Sequence, residues 1–236
     1  MRIHCLLHAP HEGLGTIKLW AKAKGYIITK TCLYNNEQLS LIKDFDLLVI
    51  MGGPMSVNDE NVYPWLKKEK EFIEFAILKE KAVVGFCLGS QLIANVLGSK
   101  IYKNKYKEIG WFDITFTKNS NVINAFNGFP AILKVFQWHQ ETFDIPKNCI
   151  HIANSEYCEN QAFSYGKNII AIQFHLEVTK KDVQNWIKTG RNEITKDKYV
   201  QTEQEMLRED RLFDIIKKYN FLLFDNLSRN IKNKKD

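Results

Sequence analysis

Cys87 is the residue of this chain whose surroundings best suit nucleophilic chemistry. An apolar run from Ala82 to Val84 leads to it through Gly85, and Gly89 follows it just before apolar residues that recur at helical spacing. This order predicts a strand that ends in a tight turn and opens directly into a helix, with the thiol over the helix's first free N–H groups. We expect the positive end of the helix to lower the thiol pKa. A lone cysteine is more often a buried strand residue, and the flanking glycines favour the nucleophile here.

A cysteine nucleophile needs a base and a group that orients the base. His175 ends an apolar run, and Glu177 lies two residues further on, so both side chains point to the same side of an extended segment. A carboxylate there fixes the tautomer of the imidazole and stabilises the imidazolium. A His-x-Glu pair alone is weak evidence, but together with the turn around Cys87 it predicts a Cys–His–Glu site.

Two backbone amides are candidates for an oxyanion hole. The Leu88 N–H directly follows the nucleophile. The Gly53 N–H belongs to Gly52–Gly53–Pro54, which ends another apolar run. Gly-Gly-Pro is also a common tight turn, so this assignment depends on both turns meeting at one edge of a sheet.

The elements that position these residues alternate between strand and helix over the first hundred residues. Four apolar runs are typical of buried strands, near residues 3–7, 26–32, 46–51 and 82–86. The segments between them are typical of helices, near residues 15–24, 38–43 and 64–77. Strands without polar alternation are buried on both faces, which predicts an α/β fold with an open, mostly parallel sheet and helices on both faces. Ligands bind such sheets beyond the carboxyl ends of the strands.

After Ile101 the pattern changes. Further strands are predicted near residues 111–116, 132–139, 150–153, 161–165 and 169–175. Their short, helix-poor connections favour antiparallel additions to the sheet. A helix near 179–188 and two amphipathic helical stretches within 203–230 complete the chain. The apolar residues of the first stretch are Met206, Leu207, Phe213 and Ile216, and those of the second are Phe221, Leu222, Phe224 and Leu227. We expect one domain over residues 1–236, with its core at about 1–190 and a C-terminal helical extension at about 195–236.

Composition narrows the function classes. Hydrophobic residues make up 45% and charged residues 25% of the 236 residues, as in soluble globular proteins. The net charge of +6 is carried in part by the last residues, which favours a solvated tail over a nucleic-acid surface. These residues are Arg229, Lys232, Lys234 and Lys235. Five cysteines without a CxxC pair, no signal-like segment and no membrane-length run predict a cytoplasmic protein without disulfides or a membrane partner. His4, His8 and His11 span a strand and a loop, so we expect no metal site there.

Three segments together resemble the signatures of class I, triad-type glutamine amidotransferases. They are Gly-Phe-Cys-Leu-Gly-Ser-Gln at 85–91, Met-Gly-Gly-Pro-Met at 51–55 and Gln-Phe-His-Leu-Glu at 173–177, in the family's order and at comparable spacing. The segment 136–143 is similar to the substrate-side loop of the stand-alone, GMP-synthase-like branch. Leu176 stands where the family usually has proline, and Ser90 where many members have histidine.

The resemblance implies a flavodoxin-like sheet and a triad of Cys87, His175 and Glu177. It implies hydrolysis of the side-chain amide of glutamine through a γ-glutamyl thioester, with no cofactor and no metal. It also implies that four further residues contact the γ-glutamyl group: Gly52, Gln91, Trp138 and His139.

Two alternatives to a glutamine amidotransferase stay open. The first is a γ-glutamyl peptidase that uses the same triad, and the second is a non-catalytic regulatory module on the same fold. The ~45 residues after Gly190 are too few for an ATP-using domain, so we expect any ammonia acceptor on a separate synthetase subunit. The sequence does not predict an oligomeric state.

Overall fold

A nine-stranded mixed sheet forms the centre of the molecule, in a computed structural model that describes residues 1–233. The strands are β1 (Arg2–Leu7), β2 (Ile27–Cys32), β3 (Leu47–Ile50), β4 (Ala82–Phe86), β5 (Ile101–Phe116), β6 (Ile132–Phe143), β7 (Cys149–Ser155), β8 (Ala162–Tyr165) and β9 (Ile169–Ile172). Their order is β2-β1-β3-β4-β9-β8-β7-β5-β6. The pairs from β2 to β9 are parallel, and those from β9 to β6 are antiparallel.

Helices lie on both faces of this sheet. They are α1 (Gly15–Ala23), α2 (Trp65–Leu78), α3 (Leu88–Val96), α4 (Lys180–Thr189), α5 (Glu203–Leu207) and α6 (Asp210–Asn233). Alternate residues of β1 and β3 enter two separate apolar clusters, one shared with α1 and α6 and the other with α2 and α3. The predicted α/β class, with a mostly parallel first half and antiparallel additions, is therefore confirmed.

The C-terminal helix α6 packs against α1 and the sheet. Its Phe224 lies in the apolar cluster that contains Trp20 of α1. The Trp20 indole donates to Asp225 at 2.7 Å, and the Asn220 amide donates to the Thr16 hydroxyl at 2.8 Å. These contacts join residues about two hundred positions apart in the sequence. Helices α1 and α6 therefore cover the same face of the sheet.

Some predicted element boundaries are wrong. The segment predicted as helical near 38–43 forms no α-helix; one 3₁₀ turn, Leu33–Asn35, precedes it and another, Ile42–Asp44, overlaps its end. The break between the last two helical stretches falls at residues 208–209, so α6 is one helix of 24 residues. Within residues 1–233, no helix combines the length and apolar content that a membrane span requires. Lys234 and Lys235 of the predicted basic tail lie outside the described residues.

Candidate active site

Cys87 is the single residue between the end of β4 and the start of α3. Cys87 has φ +48° and ψ −108°, a conformation that costs a non-glycine residue about 1–3 kcal/mol and is held only where surrounding contacts enforce it. The Cys87 N–H donates to the Ile172 carbonyl oxygen of β9 at 2.8 Å. The Ser90 hydroxyl donates to the Cys87 carbonyl oxygen at 2.6 Å. The predicted strand–turn–helix is confirmed, and Ser90 stabilises it.

Two glycines allow α3 to approach the sheet at this turn. A Cβ on Gly89 would lie 2.2 Å from the Ile50 carbonyl oxygen of β3, and one on Gly85 would lie 2.4 Å from the Gly89 carbonyl oxygen. Both contacts are with backbone, which cannot move aside as a flexible side chain can. Any larger residue would therefore push α3, and Cys87 at its start, away from the sheet.

His175 and Glu177 form a buried pair directly after β9. The His175 Nδ1 lies 2.6 Å from Glu177 Oε1, and both residues are 2% exposed. The His175 backbone N–H donates to the Phe136 carbonyl oxygen at 2.8 Å, and the ring packs edge-on against Trp186. Leu176 is fully buried in the core, so an apolar contact replaces the proline that the resemblance implies at this position.

Cys87 and His175 meet at Gly52, although 88 positions separate them in the sequence. A Cβ atom built on Gly52 would lie 3.7 Å from Cys87 Cβ and 3.6 Å from His175 Cε1. The imidazole and the Cys87 side chain therefore both lie within van der Waals distance of one point beside Gly52. The carboxyl ends of β3, β4 and β9, three adjacent parallel strands, bring these three residues together.

The thiol differs from its predicted state. Burial raises the pKa of the Cys87 thiol above its ordinary value, and the Glu12 and Glu177 carboxylates raise this pKa further. The Leu88 N–H at the start of α3 does lower this pKa, in the direction that the helix predicts. The expectation of a lowered pKa is wrong, because burial and two nearby carboxylates outweigh one helix terminus. The raised pKa favours the protonated thiol.

Two glutamine side chains connect Cys87 to the end of β6. The Gln173 amide donates to Cys87 Sγ at 3.5 Å, and the Gln91 amide donates to Gln173 Oε1 at 3.1 Å. Gln91 also donates to the Glu141 backbone carbonyl oxygen at 3.3 Å. Gln91 was expected to contact substrate, and in the structure its amide is engaged by protein groups. The role of Gln173 was missed, although it belongs to the segment that contains His175.

Trp138 and His139 lie on β6 beside the turn. The Cys87 thiol donates to the Trp138 carbonyl oxygen at 3.6 Å. The His139 Nδ1 lies 3.1 Å from the Glu141 carbonyl oxygen, and its Nε2 lies 3.1 Å from Glu108 Oε2.

Glu108, His139 and Cys158 form a cluster of possible metal ligands, with one ligand atom from each within 4.8 Å of the others. Glu108 already accepts hydrogen bonds from Gln161 and Ser155, so its oxygens are occupied by protein donors.

A second buried pair lies on the other side of Gly52. The His8 Nδ1 lies 2.7 Å from the Gly52 carbonyl oxygen, and its Nε2 lies 2.8 Å from Glu69 Oε1 of α2. Burial lowers the pKa of His8, but the Glu69 carboxylate, together with Glu12 and the Gly52 carbonyl oxygen, raises this pKa by more, so the net shift is upward. Since a carbonyl and a carboxylate only accept, both ring nitrogens of His8 donate. The charged ring thereby fixes the Gly52–Gly53 turn, a role that sequence analysis missed.

Gly53 and Leu88, the two predicted oxyanion donors, are neighbours. A Cβ on Gly53 would lie 2.7 Å from Leu88 Cδ2 and 2.9 Å from His8 Cβ. The Gly53 turn therefore packs directly on the first residue of α3. This contact brings the two turns to the same edge of the sheet, as the oxyanion assignment requires.

Glu12 was also missed by sequence analysis. It follows β1, whose carboxyl end lies at the same edge of the sheet, and its Oε2 would be 3.6 Å from a Cβ on Gly52. Burial raises the pKa of Glu12 to about 7, His8 opposes this rise and Glu177 adds to it. Its position just after a parallel strand is the sequence signal that would have found it.

These residues surround a cavity of about 420 Å³ at the carboxyl edge of the sheet. Six predicted site residues line it: Gly53, Cys87, Gln91, Trp138, His139 and His175. Gly52 and Glu177 line a small adjoining pocket. Leu88 is buried at the start of α3. The volume falls within the roughly 300–1,000 Å³ of small-molecule sites.

Known proteins are similar to this chain in sequence and in fold. The family model for class-I glutamine amidotransferases matches residues 22–190. The glutamine amidotransferase-like protein YfeJ of Salmonella typhimurium is 33% identical over 198 residues, which cover 82% of this chain and 83% of YfeJ. Gamma-glutamyl peptidase 3 of Arabidopsis thaliana is 31% identical over 142 residues, which cover 58% of this chain and 56% of the peptidase.

Structural similarity extends over nearly the whole chain. The crystal structure of a glutamine amidotransferase from Thermotoga maritima superimposes with a TM-score of 0.88 at 32% identity, covering 96% of this chain and 97% of that one. The match therefore includes the antiparallel strands and the C-terminal helices as well as the parallel half. This chain belongs to the class-I glutamine amidotransferase family.

Proposed function

We propose that this protein hydrolyses γ-glutamyl amides, with glutamine as the simplest substrate, through a thioester on Cys87. The observation that carries the proposal is the meeting of Cys87 and His175 beside Gly52. Both residues line one cavity, and Glu177 is bonded to the imidazole from behind, in an adjoining pocket. A nucleophile, a base and a carboxylate that orients the base are the parts that amide hydrolysis by a cysteine requires.

The protonated resting thiol sets the first step. Because the Cys87 pKa is raised, His175 acts as a general base that takes the thiol proton as the sulfur attacks the δ-carbonyl carbon. Glu177, which accepts a hydrogen bond from Nδ1, stabilises the imidazolium that forms. The C–N bond then breaks, and His175 delivers the proton to the departing amine.

The second half of the reaction releases glutamate. With the amine gone, His175 takes a proton from water, and the resulting hydroxide attacks the thioester carbon. The C–S bond breaks, and the proton returns to Cys87. In both halves the amides of Gly53 and Leu88 are the proposed donors to the carbonyl oxygen. Losing one such donor costs about 2.7–4 kcal/mol of transition-state stabilisation.

The test is a measurement of glutamate and amine release by wild type and by Cys87→Ala. We expect release by wild type and none by the variant, with an unchanged circular dichroism spectrum. Mass spectrometry of the quenched wild-type reaction should find one glutamyl group on Cys87. Equal activity in both proteins would refute the proposal, and inactivity of a folded wild type on every γ-glutamyl amide would favour a regulatory module.

A γ-glutamyl peptidase is the second candidate, and the size of the cavity favours it. A volume of about 420 Å³ accommodates more than an amino acid, so the leaving amine has room to be larger than ammonia. Turnover of γ-glutamyl dipeptides without turnover of glutamine would establish this alternative. A glutaminase that needs a synthetase subunit would show the opposite preference, with activity that rises when the subunit is added.

A further inference from the structure

The walls of the active-site cavity carry negative charge. Four acidic residues line it: Glu12, Asp59, Glu141 and Glu193. No lysine or arginine is among the described residues that line it, although the whole chain has 33 basic and 27 acidic residues. A cavity lined by one sign of charge concentrates ligands of the opposite sign.

Three of these carboxylates, those of Asp59, Glu141 and Glu193, accept hydrogen bonds from neutral donors. The Ser56 hydroxyl donates to Glu141 at 3.0 Å, and the Ser56 N–H donates to Asp59 at 2.8 Å. The Trp138 indole donates to Glu193 at 3.4 Å. Ion pairs found within residues 1–231 involve none of the four acidic residues. Hydrogen bonds from neutral groups orient the carboxylates and leave their charge in place.

The carboxylates lie in different parts of the cavity wall. Glu12 lies beside Gly52, where the thiol and imidazole meet. Asp59 and Glu141 come from a loop after β3 and from the end of β6, and Ser56 joins them. We call these two residues the acidic pair. The α-ammonium of a γ-glutamyl group can neutralise one carboxylate, and the others then face the rest of the substrate.

We propose that the preferred substrates are γ-glutamyl amides of diamines or polyamines, with the distal ammonium of the leaving amine bound by the acidic pair. This inference rests on the proposed function and names its substrate class. The amide C–N bond breaks as before, His175 supplies the proton to the amide nitrogen, and the products are glutamate and the free diamine. The distal ammonium keeps its proton throughout.

Three amides of equal length test the proposal. They are γ-glutamylputrescine, γ-glutamylpentylamide and γ-glutamyl-γ-aminobutyrate, whose distal groups are cationic, neutral and anionic. We expect kcat/KM for the cationic amide to exceed that of the neutral one by about tenfold, and that of the anionic one by more. The preference should shrink as salt is raised, because salt screens the interaction.

Variants locate the effect in the acidic pair. Glu141→Gln and Asp59→Asn preserve the size of each side chain, and each should reduce the cationic-to-neutral ratio of kcat/KM severalfold. Glu74→Gln, on the exposed face of α2, is the matched control and should leave the ratio unchanged. A ratio near one in wild type, or a ratio that both pair variants leave intact, overturns the inference while the proposed function stands. Failure to hydrolyse any of the three amides or glutamine overturns both.

Discussion

Two buried histidine–glutamate pairs lie on opposite sides of Gly52, and they differ in what the second ring nitrogen contacts. His8 is bonded at both nitrogens, to the Gly52 carbonyl oxygen and to Glu69. His175 is bonded to Glu177 through Nδ1, and its ring edge faces Gly52 and the cavity. The same chemical pair is therefore fixed at both ring nitrogens in one place, and in the other it leaves one ring edge open for the proton transfer that we propose.

The difference follows from connectivity as much as from chemistry. His8 directly follows β1 and Glu69 belongs to α2, so their bond ties the end of a strand to a helix across the sheet edge. His175 and Glu177 are two residues apart, so their bond ties down only one segment. The first pair should matter most to stability and the second most to turnover. The same substitution, histidine to asparagine, tests this at both sites because asparagine retains a donor near the position of Nδ1.

The largest expected effect is that of His175→Asn on turnover. The variant keeps a donor for Glu177 and loses the nitrogen that carries protons, so we expect kcat to fall about 10³–10⁶-fold with γ-glutamyl amides. Stability should change by less than at His8. Steady-state kinetics and urea unfolding measure the two quantities. Retention of a tenth of wild-type kcat would show that His175 is not the base.

The next largest effect is that of His8→Asn on stability. It leaves the Glu69 carboxylate buried without its cation, and Glu69 Oε2 already has no hydrogen-bond partner. We expect a loss of about 3–5 kcal/mol in the free energy of unfolding. The kcat should fall through displacement of the Gly52–Gly53 turn, and by less than in His175→Asn. Glu69→Gln in the same chain should restore part of the stability, because it removes the unpaired charge.

The pH dependence of stability distinguishes a charged His8 from a neutral one. Its folded-state pKa is raised, so its contribution is complete below the unfolded value of about 6.5 and is lost as pH rises through the folded value. The His8→Asn/Glu69→Gln double variant lacks both groups. The stability difference between wild type and this variant should therefore be largest near pH 6 and decrease toward pH 9. A difference that grows with pH would contradict the imidazolium assignment.

The two pairs also show what sequence can and cannot predict. His175 and Glu177 were found because their spacing places both on one side of an extended segment, whatever the rest of the fold does. The link from His8 to Glu69 spans 61 positions and depends on how α2 packs beside β1, which periodicity does not specify. The Cys87 turn was likewise local and predictable, through its two glycines.

Burial and charge at the site were the quantities that sequence could not supply. The helix terminus at Leu88 was visible in the sequence, but it is outweighed by burial and by the carboxylates of Glu12 and Glu177, which lie in the loops after β1 and β9. The break between α5 and α6 at residues 208–209 was missed because no local sequence signal marks it. Apolar residues recur at helical spacing on both sides of the break. The capping box of Thr202 and Glu205 indicates where α5 begins but not where it ends.

Glu12 lies between the two pairs, so replacing it sharpens the comparison. Its folded-state pKa of about 7 exceeds the unfolded value of about 4.5, so wild type loses stability as pH rises between these values. Glu12→Gln should remove that loss, which is at most about 3 kcal/mol. The stability of the variant relative to wild type should therefore be greater at pH 8 than at pH 5. Thermal unfolding at both pH values measures this. An equal difference at both would contradict a raised Glu12 pKa.

The smallest effect concerns the reactivity of Cys87 and tests whether His175 acts only when an electrophile is in place. A resting thiol with a raised pKa should react slowly with chloroacetamide, although it lines the cavity and should still precede the buried Cys5 and Cys32. Cys149, whose pKa burial raises to about 11, is partly exposed and serves as the internal reference.

A chloromethyl ketone analogue of glutamine places its carbon where the amide would lie. We expect it to alkylate Cys87 at least about tenfold faster than chloroacetamide does, relative to Cys149, because His175 can then take the thiol proton during attack. In His175→Asn this advantage should disappear, whereas in His8→Asn/Glu69→Gln it should persist in the folded protein. Peptide mapping of both variants after timed labelling gives the rates. Equal acceleration in His175→Asn would mean that binding of the analogue in the cavity is enough to accelerate alkylation. It would contradict the proposal that His175 transfers a proton whereas His8 keeps its own.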